Sequence, residues 1–332
     1  VILYSVKEVD YLEWEKYFHL SYKNNILQAW QYGNAKSETS SWNIIRFLIF
    51  NDNEEVTALV QVMIRKLPII GAIVRINRGP ILIESKKEVD NGQLEIKIIS
   101  TLTKEFKKRN WRMVLLAPEI PDSLDSKKSL KKLGLYKLNK PNYASGLINL
   151  KLDEKDILMS FKKKWRYYLR KSLSHNVNIV LSNDVDIELN LLLSKYKELQ
   201  EKNSFIGLPE ALVSSLSSMN ANKDWSFNLF IAKDEKNLNS DECLGMLVLI
   251  KHGDTATYLI GLTENRGKQL NVNYALIWHA ILYAKELNCS WLDIGGMDKT
   301  TPEGIAHFKK GLNSNLYSLV GEWVYFSIPF LR

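Results

Sequence analysis

Residues 104–118, KEFKKRNWRMVLLAP, and residues 284–298, AKELNCSWLDIGGMD, follow one pattern: a helix end, a short turn, a tryptophan and an apolar strand. Upstream of the first copy, Leu94, Ile98 and Leu102 share one face of a helix predicted over 89–109, with lysines opposite. Strand patterns precede it at 42–50, 56–66 and 72–83, and Asn51, Asp52 and Asn53 favour a hairpin between the first two, because they tolerate left-handed backbone angles. The strand at 111–117 is stopped by Pro118 and Pro121. Around the second copy the order recurs, with strands at 227–233, 244–251 and 255–262, a helix over 273–287 and a strand at 290–294. A hairpin meander followed by a helix and a strand of the same sheet makes a mixed α/β domain, and an internal duplication supplies it twice.

The remaining elements fill in around these copies. Helices are predicted over 8–20 and 27–36 in the first half; a basic helix over 153–175, a strand at 177–182 and helices over 184–203 and 209–219 open the second. A closing strand at 319–326 is long enough to return to the first sheet. The expected domains are 1–150, completed by a C-terminal strand within 318–332, and 151–317.

Composition narrows the class. The 332 residues are 45% hydrophobic and 25% charged, the balance of a globular protein rather than a fibrous or disordered one. The apolar runs are broken well short of the ~18 residues a membrane helix needs. VILYSVKEVD carries no secretion-signal pattern, so the cytoplasm is the expected location. Cys243 and Cys289 lack CxxC spacing and read as free thiols in apolar elements. A net charge of +8 favours an anionic partner, leaving nucleic acid, a nucleotide diphosphate and an acidic membrane surface open.

Three segments carry candidate chemistry. Asn77-Arg78-Gly79-Pro80 sets a cation beside two strand-bending residues inside an apolar run, either a kinked edge with a surface arginine or a fixed binding arginine. In residues 292–312, LDIGGMDKTTPEGIAHFKKGL, a strand ends in Gly295-Gly296 and a short helix presents Phe308, Lys309 and Lys310. Glycines between strand and helix let a ligand approach the backbone. Asp293, on that apolar strand, reads as a satisfied structural carboxylate or as a base. Residues 161–175, FKKKWRYYLRKSLSH, interleave cations with aromatics, which suits nucleic acid; the plainer reading is an amphipathic helix whose tyrosines face the core. No GxSxG, HExxH or GxxxxGK[ST] pattern occurs, the five histidines are scattered, and no metal or cofactor is expected. Residues 265–271, NRGKQLN, hold one glycine where a coenzyme A pyrophosphate would need a bare turn.

Read in order, LQAWQYGNAK (27–36), RKLPIIGAIVRINRGP (65–80), KKKWRYYLRKS (162–172), ALIWHAILYAKELNCSWLDIGG (275–296), GIAHFKKGL (304–312) and VGEW (320–323) resemble the FemABX family of peptidoglycan bridge-forming aminoacyltransferases, in its compact form without a coiled-coil arm. The resemblance implies two tandem GNAT-like domains, with mixed, mostly antiparallel sheets and flanking helices. It implies transfer of an amino acid from aminoacyl-tRNA to an amine of a cell-wall precursor, with peripheral contact to a membrane-bound precursor as a further possibility. By the same resemblance Lys36 and Arg78 lie in the precursor cleft, Tyr258 lines the second groove, and Phe308 and Lys309 sit beside the reacting ester. Asp293 and Asp298 are the carboxylates available to take the amine proton, and Lys163, Arg166 and Arg170 are the candidate tRNA contacts. NSFIGLPEAL (203–212) lacks the basic and aromatic residues expected of peptidoglycan-acting members. Related readings are therefore an N-acyltransferase acting on an amino sugar or another amine in surface-polysaccharide synthesis, and a non-enzymatic nucleic-acid-binding module.

Overall fold

The structure, a computed structural model, describes residues 4–21, 23–68, 71–83, 92–175, 177–203, 205, 207–234 and 243–327. Residues 89–91 of the helix expected over 89–109, and residues 204 and 206 of the 203–212 stretch, lie outside them. Contacts divide the chain into one unit of Val1–Ser145, Asp298–Thr300 and Tyr317–Arg332 and a second of Gly146–Met297 and Thr301–Leu316.

The first unit runs β1 (Ser5–Glu8), α1 (Tyr11–Phe18), a 3-10 turn at Ile26–Gln28, α2 (Trp30–Glu38), β2 (Asn43–Phe50), β3 (Val56–Leu67), β4 (Gly71–Asn77), β5 (Ile81–Leu82), α3 (Gln93–Lys108), β6 (Trp111–Ala117), α4 (Leu124–Lys132) and β7 (Tyr136–Lys137). β8 (Ala144–Asn149) leads into α5 (Glu154–Ser160), α6 (Lys163–Leu173), β9 (Val177–Leu181), α7 (Val185–Asn203), α8 (Glu210–Ser217), β10 (Trp225–Asp234), β11 (Cys243–His252) and β12 (Thr255–Thr263). Then follow α9 (Asn265–Gln269), α10 (Val272–Glu286), β13 (Trp291–Asp293), α11 (Glu303–Lys310), β14 (Asn315–Ser318) and β15 (Trp323–Phe326). One sheet has the order β1-β2-β3-β4-β6-β15-β7, with β5 paired to β3, and the other β14-β8-β13-β12-β11-β10-β9. β4 with β6 and β12 with β13 run parallel, while β1–β2, β2–β3, β3–β4, β6–β15 and β15–β7 in the first sheet and β8–β13, β12–β11, β11–β10 and β10–β9 in the second are antiparallel.

The duplicated pattern has a physical basis in both copies. Asn110 and Asn288 each adopt a left-handed backbone, φ 59° and 58°, in the turn that ends α3 or α10. Asparagine is among the few side-chain-bearing residues that tolerate this geometry. The tryptophan that follows, Trp111 or Trp291, starts the strand and is buried. Ile98, Leu102 and Phe106 of α3 pack on Val74 and Val114 in one core. Leu276, Ala280 and Ile281 of α10 pack on Leu247 and Leu292 in the other. Each fully buried aliphatic of this kind contributes roughly 1.5–3 kcal/mol.

Several local expectations are corrected. The N-terminal helix begins only at Tyr11, capped by the Asp10 carboxylate, which accepts from the Glu13 N–H at 3.0 Å, and the residues before it form edge strand β1 on β2. The strand expected over 72–83 breaks at Arg78, whose φ of 51° ends β4, and β5 resumes the antiparallel pairing with β3 beyond the break. The basic helix expected over 153–175 is two helices. Phe161 between them is extended and buried, its ring 4.8 Å from that of Trp165. In α6 it is Trp165, Leu169 and Ser172 that face inward, whereas Tyr167 is exposed. Cys243 is only partly buried. Cys289 is buried, and burial pushes its thiol up to about 12. Among the described residues no helix is long and apolar enough to cross a membrane.

Candidate active site

The second unit's parallel pair opens part-way along. β12 and β13 are in register over Thr255↔Trp291, Ala256↔Leu292 and Thr257↔Asp293 only. Beyond Asp293 the chain leans toward β8, where the Ile294 N–H donates to the Gly146 carbonyl at 3.0 Å. On the other side Leu259 is an extra residue in β12: Val248 pairs with Ile260 and Leu249 with Tyr258. Such a bulge bends the strand and re-aims the side chains beside it.

Lys309 fills the fork. Although it sits on short, mostly exposed helix α11, its side chain turns inward and is 7% exposed. Its Nζ donates to the Gly296 carbonyl at 3.1 Å and lies 5.3 Å from the centroid of the Tyr258 ring. Tyr258 leans over Gly261, where a Cβ would overlap its hydroxyl. Burial, with Tyr196 nearby, pushes its phenol up to about 12, so it stays protonated at neutral pH. Gly295 has φ +75°, and a Cβ there would stand 2.9 Å from the Tyr258 carbonyl and 3.2 Å from Lys309 Nζ; Gly296 faces open space. The buried Asp293 carboxylate accepts from the Gly295 N–H at 2.9 Å and so shapes the diglycine turn. Asp298 instead caps its own exposed turn through Thr300 and falls in the first unit.

Beside Lys309, Phe308 forms one wall of a cleft of about 160 Å³ with Trp165, Tyr168 and Tyr274, rimmed by Lys162, Lys164 and Lys310. The Phe308 ring meets Tyr274 edge-on at 5.0 Å and Trp165 at 6.0 Å. Gly311 lets Trp165 in, since a Cβ there would come 2.5 Å from the indole. Sequence reasoning missed this cleft because its walls come from three helices. Of the basic residues at α6, Lys162 and Lys164 reach the cleft, whereas the expected tRNA contacts Lys163 and Arg170 are exposed elsewhere on the helix and Arg166 donates to the Met159 carbonyl at 2.6 Å.

In the first unit Arg78 is buried rather than displayed. Its Nε and Nη2 donate to the two Glu119 oxygens at 2.6 and 2.8 Å, Nη2 also to the Tyr317 hydroxyl at 2.9 Å, and its guanidinium lies 4.8 Å from the Tyr143 ring centroid. Burial works against its charge, but Glu119 and the two tyrosines hold it well above its ordinary value. Lys36, half-buried on α2, makes no ion pair among the described residues. Behind Arg78 lies a polar network. Gln28, fully buried, accepts from the Gln61 N–H at 2.6 Å and donates to the Asn77 carbonyl at 2.7 Å, taking the place of a strand where β4 has ended. The Gln61 side chain accepts from Arg46 Nε at 2.7 Å, and Arg46 stacks 3.4 Å from the Trp30 ring centroid and donates to Asn34. A Cβ on Gly33 would overlap Gln61. LQAWQYGNAK thus supplies Gln28, Trp30, Gly33 and Asn34 to this network.

Residues 218–331 match the family model described as the FemAB family. No curated protein sequence matches the chain. Among solved structures, the crystal structure of FemX matches with a TM-score of 0.78 at 17% identity, covering 97% of each chain. A tandem GNAT protein from the clavulanic acid biosynthesis pathway matches at 0.55 with 8% identity, covering 99% of each chain. L-PGS from Bacillus licheniformis matches at 0.54 with 12% identity, covering 98% of this chain and 94% of that one. At these identities the structural likeness is one of fold, two GNAT-like units in tandem. The FemAB family match thus lies in residues 218–331, and the likeness of fold to FemX extends over 97% of the chain.

Proposed function

We propose that the chain is an aminoacyltransferase that takes an amino acid from aminoacyl-tRNA and joins it to an amine of a cell-wall precursor. The FemAB family match over residues 218–331 and the tandem GNAT fold support a transferase. The observation that carries the finer reading is the fork between β12 and β13 with the buried Lys309 ammonium inside it. A neutral amine attacks the ester carbonyl, a C–N bond forms, and the C–O bond to the ribose breaks. The amine proton leaves with the ribose oxygen, so charge balances without ATP or a metal. Lys309 stabilises the oxyanion of the tetrahedral intermediate, where a fixed cation in a water-poor site acts most strongly. Asp293 positions the turn through Gly295, and the Tyr258 ring steadies the Lys309 head. The aromatic cleft at Phe308 suits the terminal base of the donor, with Lys162, Lys164 and Lys310 as phosphate partners in place of Lys163, Arg166 and Arg170. Lys36, which makes no ion pair among the described residues, is the cation assigned to an anionic acceptor, Arg78 being committed to Glu119.

A donor of the acyl-CoA class is disfavoured by the 265–271 segment. It forms helix α9, and Gly267 packs so tightly on the Leu244 carbonyl that the glycine serves packing rather than a phosphate nest. Charged tRNA mixtures with labelled amino acids are expected to transfer label into an extracted precursor pool. Saturable turnover with acetyl-CoA and none with charged tRNA would overturn the reading. Lys309→Met, which keeps the stem and removes the charge, is expected to lower turnover by on the order of a hundredfold with little change in affinity or melting temperature. Turnover within threefold of wild type would remove Lys309 from the chemistry.

A further inference from the structure

The crest of α6 is left over once the aromatic cleft has taken Lys162 and Lys164. At ~100° per residue, Lys163, Tyr167, Arg170 and Lys171 follow one another on the side opposite the buried Trp165, Leu169 and Ser172. α6 contains no acidic residue. None of Lys163, Arg170 or Lys171 makes an ion pair among the described residues. Apolar side chains stand exposed among these cations: Tyr167 is 54% exposed, Leu173 58%, and Met159, at the corner from α5, 58%. Arg166 holds that corner by its bond to the Met159 carbonyl. The acids of α5, Asp153, Glu154 and Asp156, are confined to its cap and first turn, away from Met159.

Phosphates of a nucleic acid would use the cations and could stack a base on Tyr167, but they give no reason to expose a leucine and a methionine beside them. A bilayer surface rich in anionic lipid uses all three kinds of group: cations at the headgroups, tyrosine at the interface and short apolar side chains among the upper acyl carbons. We infer that the α6 crest, with Met159 beside it, is a docking surface for an anionic lipid bilayer. The inference is independent of the donor assignment, because the crest and the cleft use different residues of the same helix.

Co-sedimentation of the full chain with extruded vesicles tests it. Binding is expected to vesicles of phosphatidylcholine with about one-third phosphatidylglycerol, to be weak to phosphatidylcholine alone, and to decline with salt. Lys163→Gln/Arg170→Gln/Lys171→Gln is expected to weaken it by at least tenfold. Tyr167→Ser/Leu173→Ser, with the charge intact, is expected to weaken it severalfold. All five side chains are exposed, so an unchanged melting temperature shows that the fold is kept. Phe308→Ala, in the cleft, is expected to leave vesicle binding as it was. Absence of binding to the anionic vesicles at low salt would overturn the inference. So would an apolar double variant that binds like wild type, and if the charge variant then lost affinity for bulk tRNA the crest would be a nucleic-acid face.

Discussion

The two units contain the same parallel strand pair, started by the same tryptophan, and finish it differently. β4 and β6 remain paired from Ala72↔Trp111 to Asn77↔Ala117, and the Arg78 N–H adds a further bond to the Ala117 carbonyl at 2.6 Å. β12 and β13 part after three pairs. In the first unit the cation at the end of the pair is satisfied by Glu119; in the second, Lys309 rests on a backbone carbonyl and an aromatic face. In the closed pair the backbone groups bond across to one another, whereas in the open one the Ile294 N–H turns to Gly146, the Gly295 N–H to Asp293, and the Lys309 side chain enters between the strands. The divergence of the two strands at Asp293 is thus the main structural difference between the two pairs, and on the proposed function it marks the reacting unit.

The sharpest way to break this comparison is at the diglycine. Gly295→Ala must place a Cβ against the Tyr258 carbonyl with φ at +75°, and it is expected to lower transfer by tenfold or more and to cost on the order of 1–2 kcal/mol in urea unfolding. Gly296→Ala meets nothing within 4 Å and is expected to change neither. Equal effects of the two would mean that the fork's shape does not matter.

Glu119→Gln makes the converse test in the closed unit. It leaves the buried Arg78 charge without its partner and is expected to destabilise by roughly 2–3 kcal/mol, read from the urea midpoint. A loss below about 0.5 kcal/mol, the usual scale of a surface pair, would show Arg78 to be available for a ligand after all.

How much of this was legible in the sequence follows from the range of each interaction. The fold class was readable because helix faces, the Asn-turn and the buried tryptophan strands are set by residues within a few positions of one another. The strand break at Arg78 was marked by Gly79-Pro80, but Glu119 and Tyr317 lie 41 and 239 positions away, and nothing local announces them. The inward turn of Lys309 was equally hidden, since α11 otherwise reads as an exposed helix. One missed signal was present: Gln61 stands alone among apolar residues in β3, and a lone amide in a buried strand asks for a partner, here Gln28.

The smallest expected effect sharpens the role of VGEW in closing the first sheet. Burial alone would raise the Glu322 carboxyl, but hydrogen bonds from Lys140 and Arg75 hold it below its ordinary value of 4.5. A carboxylate lowered on folding stabilises fully above its unfolded value and loses that contribution as pH falls through its folded value. Glu322→Gln is therefore expected to lower the melting temperature by about 2 °C at pH 7, the gap closing as the pH falls below 4.5. A gap that persists at pH 3 would assign the effect to packing rather than charge.

The Gln28 side chain has a consequence for how the first sheet breathes. A strand amide is ordinarily shielded from solvent by a neighbouring strand, and its proton exchanges only when the ladder unzips. The Gln61 N–H is bonded to one side-chain amide instead, so its exchange is expected to follow the breaking of the Gln28 contact while β3 stays paired to β2 on its other side. The same side chain also holds the Asn77 carbonyl, next to Arg78. Deuterium uptake at Gln61 thus reports on a latch of a single residue, placed where the closed pair ends.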